Sequence, residues 1–166
     1  GPKGSDIVAE AEELYQTVRC PFTGQELTAI QAIVPDVAII HAQRADAAGN
    51  VQMIGTSASD LDMAMAAKAV IVTVEEIVTA DEIRASKSAT KLFRNDVDLV
   101  IHCPMGASPC SSVPYYSAHL LQLQKDVAGL NPKTARSYIA EVIGDSETAY
   151  WANVGGAEAQ RKLKAF

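Results

Sequence analysis

The stretch "HAQRADAAGNVQMIG", residues 41–55, places His41, Gln43, Arg44 and Asp46 directly behind an apolar run. An imidazole can move a proton, and a guanidinium can clamp a carboxylate or phosphate. The same residues also fit a hairpin with a polar tip. Asp46 and Asn50 are read as side chains that bond the turn backbone. Arg44 then either meets a ligand or braces the hairpin through Asp46. His41 sits beside Ile40 within a strand, so a satisfied core histidine is the plainer reading, and His102 shares it.

A second candidate is "HCPMGASPCSSVPYY", residues 102–116. Gly106 would let a ligand approach the backbone, and Ser108, Ser111 and Ser112 precede a helix whose first N–H groups could meet an anion. A Pro-rich connector with helix-capping serines has the same composition. Cys110 has no base or cation adjacent in sequence and reads as an inert thiol. In "VTVEEIV", Glu75 and Glu76 are strand neighbours that point to opposite faces, so they cannot act as an acid/base couple on one side. At least one meets a buried face unless the strand is ending, and a buried carboxylate needs partners. There is no Ser-His-Asp spacing, P-loop, G-x-G-x-x-G or metal-ligand cluster.

The elements behind these residues follow from periodicity. Ile7, Ala11, Leu14 and Val18 predict a helix over 6–18, and Pro21 with Gly24 makes the next stretch a loop. A strand is expected at about 36–43. Its run Val37 to Ile40 is apolar at consecutive positions, so burial on both faces is expected. Ala47 and Ala48 suit a turn centre, Gly49 suits the left-handed position after it, and "VQMIG" returns as a second strand. Helices are expected at 57–69 and in "TADEIRAS", where Thr79 and Glu82 form a capping box. Strands are expected at 70–78 and 96–104, and helices at 115–128, 132–143, 146–153 and 157–165. The implied fold is α/β: a largely parallel sheet flanked by helices, with one β-hairpin. Ligands in such sheets bind beyond the carboxyl ends of the strands, here the loops after residues 43, 76 and 103.

Bulk properties set the remaining bounds. The chain has 166 residues, enough for one domain with a core, and 117–166 forms a helical C-terminal region. Its net charge of -6 argues against a nucleic-acid partner. No apolar run is long enough to span a bilayer, so no membrane association is expected. Three cysteines without C-x-x-C spacing support neither a disulfide framework nor a zinc site, and a cytoplasmic location is the expectation.

Several stretches together resemble family I coenzyme A transferases, most closely the A subunit of glutaconate CoA-transferase-like proteins: "GSD" at 4–6, "PFTG" at 21–24, "VPDVAIIHAQRADAAGNVQMIG" at 34–55, "VEEIV" at 74–78 and "VDLVIHCPMGASP" with "YY" over 97–116. Ser108 stands where relatives tend to carry a His after "GA". The resemblance implies the NagB/RpiA/CoA transferase-like fold and a chain that is part of a longer subunit. It also implies a reaction in which CoA passes from an acyl-CoA to a carboxylic acid through a glutamyl-CoA thioester. The glutamate belongs to a partner B-type subunit, so no catalytic residue is assigned here and coenzyme A enters as substrate. The substrate-contact candidates are His41, Gln43, Arg44, Glu76, Gly106 and Ser108. Similar heterodimers act as acyl-CoA hydrolases or decarboxylases, and a non-catalytic structural role is the remaining alternative.

Overall fold

The computed structural model describes residues 4–154 and residue 163. The chain divides into two units, 1–35 and 36 onward.

In the first unit, α1 (Asp6–Glu10) is followed by a 3-10 turn at Glu12–Leu14, then by β1 (Tyr15–Arg19) paired antiparallel with β2 (Glu26–Ile30). The helix expected over 6–18 therefore covers only its first residues. Tyr15, Thr17 and Val18 are strand-favouring types, and Glu26–Ile30 gives them a ladder that a longer helix would forfeit. The stretch Cys20–Gln25 closes the hairpin, with the Cys20 N–H donating to Gln25 O at 2.8 Å.

The second unit is built on a five-stranded sheet ordered β6-β4-β3-β5-β7. Its strands are β3 (Val37–Asp46), β4 (Val51–Gln52), β5 (Ala69–Val78), β6 (Thr90–Leu92) and β7 (Leu99–His102). β3, β5 and β7 are parallel, whereas β4 runs antiparallel to both β3 and β6. The expected mixture of a parallel sheet and one hairpin is the observed fold. The hairpin turns where Gly49 adopts φ +94°, a left-handed conformation that favours glycine.

α2 (Asp60–Ala66) joins β3–β4 to β5, and α3 (Ala80–Ala85) follows β5. α3 opens with the expected box: the Glu82 N–H donates to Thr79 Oγ1, and the Thr79 N–H to Glu82 Oε2. Further on lie α4 (Leu120–Gly129), α5 (Ala135–Tyr138) with a π-turn over Ile139–Ile143, and α6 (Glu147–Asn153). The helix expected at 115–128 begins later because Ser112 and Tyr116 form a bridge and both tyrosines of the loop turn back to the sheet. The helix expected over 157–165 lies outside the described residues, of which 163 alone is described.

The core occupies one face of the sheet. Ala38, Ile40, Ala42, Val70, Val72 and Val74 pack with Ala64 of α2 and Leu92 of β6. These even-numbered strand positions share a face because strand side chains alternate. The odd face differs from expectation: Val37 is 48 % and Ile39 69 % exposed. An uninterrupted apolar run marks a strand suited to burial on both sides, but among the described residues the buried cluster lies on only one.

A candidate active-site cleft at the carboxyl ends of the strands

The odd face changes character toward the carboxyl ends of β3 and β5. The parallel register sets His41 opposite Thr73, and Glu75 follows Thr73 on the same face. Glu75 is 6 % exposed and accepts three hydrogen bonds. His41 Nε2–H donates to its Oε1 at 2.6 Å, the Tyr116 hydroxyl donates to the same oxygen at 2.6 Å, and the Met105 N–H donates to Oε2 at 2.8 Å. His41 Nδ1 pairs with the Thr73 hydroxyl at 2.9 Å. Tyr116 Oη also accepts the Ala107 N–H at 3.0 Å. Burial, reinforced by the bond to Glu75, pushes the Tyr116 hydroxyl well above the ordinary tyrosine range. One carboxylate thus ties two strands to the loop over 103–116.

Gly106 permits that closure. A Cβ built there would lie 2.7 Å from His41 Cε1 and Nδ1 and 2.9 Å from Cys103 O. The glycine lets the loop backbone rest against an imidazole. Gln43, two residues along the same face, holds the loop's other end: its Nε2 donates to Val113 O at 3.1 Å, and its Oε1 accepts the Ile54 N–H at 2.9 Å.

Between these ties lies a cavity of about 460 Å³ lined by His41, Gln43, residues 53–56, Asp60, Ala107 and residues 111–113. His41 and Gln43 alone among the six sequence candidates line it. Arg44 is on the opposite face of β3, where its guanidinium donates to Gln52 Oε1 at 3.0 Å, and its Nε meets no acceptor among the described residues. Gln52 is fully buried and donates to Ile83 O and Ser86 O, so Arg44 braces the hairpin through Gln52. Asp46 is spent on its own turn, accepting from the N–H groups of Ala48 and Asn50 and from the Asn50 amide. Burial works to raise its carboxyl, but these bonds outweigh that and hold it below the usual aspartate range. Glu76 is exposed and accepts the Tyr115 hydroxyl at 2.8 Å. Burial and this bond raise Tyr115 in turn. The Ser108 hydroxyl bonds Tyr150. Cys110 is a free, exposed thiol.

Glu75, Thr73 and Tyr116 hold the cleft's wall, and none stood among the candidates. Thr73 and Glu75 share a face with His41 only because the register between β3 and β5 has an even offset, which the sequence does not give. Tyr116 belongs to the "YY" pair of the resembling stretch, but nothing in the sequence gave it a role at the site.

The cleft lies against the half of β3 nearer its carboxyl end, the side on which such sheets bind ligands. Residues 6–97 match the family model described as Coenzyme A transferase, and the chain belongs to that family. It is 42% identical over 113 residues to the A subunit of 3-oxoadipate CoA-transferase from Pseudomonas knackmussii, covering 68% of this chain and 39% of that one. It is 37% identical over 106 residues to the A subunit of glutaconate CoA-transferase from Acidaminococcus fermentans, covering 63% of this chain and 33% of that one. Among solved structures, glutaconate coenzyme A-transferase from Acidaminococcus fermentans superposes with a TM-score of 0.85 at 28% identity, over 99% of this chain and 57% of that chain. A cysteine-to-serine variant of the decarboxylase AibA/AibB gives 0.69 at 29% identity, over 86% of this chain and 52% of that chain. The chain spans well under half the length of the two curated subunits it matches.

Proposed function

We propose that this chain is the portion of a CoA-transferase A subunit that supplies one wall of a thioester-handling cleft, and that a B-type subunit completes the site. The reaction moves CoA from an acyl-CoA to a carboxylic acid. A glutamate of the partner attacks the thioester carbonyl and expels CoA thiolate, leaving a mixed anhydride. The thiolate then attacks the glutamyl carbonyl, releasing the first acid and forming the glutamyl-CoA thioester. The second acid takes the CoA by the reverse sequence. The observation that carries this reading is the make-up of the cavity: β3 lines it through His41 and Gln43, the loop over 103–116 lines it through Ala107 and residues 111–113, and both belong to the stretches resembling the family.

Within that reading, His41 lines the wall, its ring held by Thr73 and Glu75. Gln43 fixes the loop, and Thr56 and Ser111 offer hydroxyls to the bound thioester. Glu76, Gly106, Ser108 and Arg44 support the surrounding loops and hairpin. A cytoplasmic location belongs to the same proposal; among the described residues no helix is long and apolar enough to cross a membrane.

The test is reconstitution with a B-type subunit, an acyl-CoA and an acceptor acid. A covalent CoA adduct on the partner's glutamate, none on this chain, and no turnover by this chain alone are expected. The likeness to AibA/AibB favours a second reading, decarboxylation of an acyl-CoA. Loss of CO2 from the acyl-CoA without any acceptor acid would establish that chemistry and exclude transfer.

A further inference from the structure

We infer that the cavity enclosed by the β3–β4 turn, α3 and the stretch over 87–94 is a second ligand site, separate from the thioester cleft, and that it takes a phosphate monoester carrying a planar ring, the chemistry of a nucleotide.

The cavity holds about 530 Å³, a volume suited to a small molecule. It shares no lining residue with the cleft. Asp46, in its wall, is on the even face of β3 with Arg44, opposite His41 and Gln43. A ligand here is held by groups that the proposed transfer reaction does not use.

Charge defines one half of the ligand. Arg84, Lys87 and Arg94 line the cavity, in a chain whose net charge is -6. The acidic side chains of the same elements are committed elsewhere. Asp46 accepts three hydrogen bonds from its own turn, and Glu82 caps α3 through Thr79. Asp96 accepts the Phe93 N–H, and Asp81 pairs with Arg84. No ion pair among the described residues uses Lys87 or Arg94. Cations gathered around one concavity repel one another, and a bound anion relieves that repulsion. A phosphate monoester brings about two negative charges at neutral pH, and a guanidinium fork fits its oxygens.

Apolar surface defines the other half. Phe93 is 56 % exposed at the cavity, and Ile83, Ala48 and Ala80 supply apolar wall. An exposed aromatic face stacks on a planar ring, whereas phosphate alone would leave this surface unused. The strip that carries Phe93 and Arg94 is pinned. Asp96 Oδ2 accepts the Phe93 N–H at 2.9 Å, and Asn50 Oδ1 accepts the Arg94 N–H at 3.4 Å. A surface fixed beforehand loses less conformational freedom when its ligand arrives.

The test uses this chain alone, with adenosine monophosphate, ribose phosphate and adenosine as probes followed by amide chemical shifts. Expected are a Kd for adenosine monophosphate below about 1 mM and affinities about tenfold lower for the other two, which lack the ring or the phosphate. Shifts should centre on Ala48, Phe93 and Arg94, not on Thr56 or Ser111 of the cleft. Lys87→Glu and Arg94→Glu should each weaken adenosine monophosphate by about tenfold. Phe93→Ala should weaken it while leaving ribose phosphate unchanged. All three side chains are exposed, so these variants keep the fold. Lys91→Glu makes the same charge change at an exposed position outside the cavity, and should alter affinity less than about twofold at physiological salt. No binding, binding indifferent to Lys87→Glu and Arg94→Glu, an equal loss from Lys91→Glu, equal affinity for ribose phosphate, or shifts confined to the cleft would each overturn the inference. Coenzyme A bears the same chemistry at its nucleotide end. Displacement of adenosine monophosphate by coenzyme A would identify that end as the occupant, and its absence a free nucleotide; both results support the site. No B-type subunit is needed, so failure of the transfer reading leaves this test intact.

Discussion

The two halves of the sheet's odd face, only a few residues apart along the same strands, meet opposite fates. At the carboxyl end, Glu75 gathers His41, Tyr116 and the Met105 N–H into a closed set of hydrogen bonds under a loop of the same chain. At the amino end, Val37, Ile39 and Leu99 meet nothing comparable among the described residues and are exposed. Polar groups on a buried face must find partners with correct geometry, so this chain carries those partners itself. Apolar groups need only cover, which any apolar layer of the right shape can supply. A cleft near the junction of the two halves is consequently hydrogen-bonded on one side and bordered by exposed apolar side chains on the other.

The sharpest way to break this contrast is Glu75→Ala. It leaves the His41 N–H, the Tyr116 hydroxyl and the Met105 N–H without their acceptor in a buried position, at a cost of about 3–5 kcal/mol. Glu76→Ala should cost no more than about 1 kcal/mol, since Glu76 is exposed and bonded to Tyr115. Thermal denaturation should separate the two by roughly 10 °C. Equal losses would mean that Glu75 is not the tie.

Gly106→Ala comes next, at about 1–3 kcal/mol, because its methyl would press on the His41 ring. In a His41→Ala background the ring is gone and part of that cost should vanish, while the 2.9 Å approach to Cys103 O remains. Additive losses in a double-mutant cycle would count against the contact.

Arg44→Ala tests the hairpin behind the cleft. It leaves the buried Gln52 Oε1 without its donor and should cost about 1–2 kcal/mol, read in urea unfolding. The reconstituted enzyme's preference among acyl groups should not change, because Arg44 faces away from the cavity. Altered preference with an unchanged midpoint would reverse that assignment.

The smallest effect belongs to the bare half. Ile39→Asp in the isolated chain should shift stability by no more than about 0.5 kcal/mol, since the side chain is 69 % exposed. A loss of several kcal/mol would show that this face is already covered.

How far the sequence reached is clearest in particular elements. β3, β5 and the box at Thr79–Glu82 were legible because continuous β-branched runs and a capping pair act locally. β1 was not, because Tyr15–Arg19 also fits a helical stripe and only its pairing with β2 decides the matter. In the candidate site, His41 and Gln43 stood among the contact residues that the resemblance implied, whereas their place in the strand by itself favoured a core histidine at 41. Glu76 was preferred to Glu75, although alternation alone cannot say which of two neighbouring carboxylates turns inward.

What the residues determined by themselves is the alternation of strands and helices, the polar-tipped turn at Asp46–Asn50, and a polar sheet end rimmed by a glycine-bearing loop. These rest on periodicity, backbone preference and contacts within a few positions. Only the tertiary structure decided that His41 meets Glu75, that Gly106 rests on an imidazole, that Arg44 turns away, and that half a sheet face stays open. Those outcomes depend on the register between β3 and β5 and on where a loop some sixty residues from His41 returns to the sheet. No local rule encodes such distances.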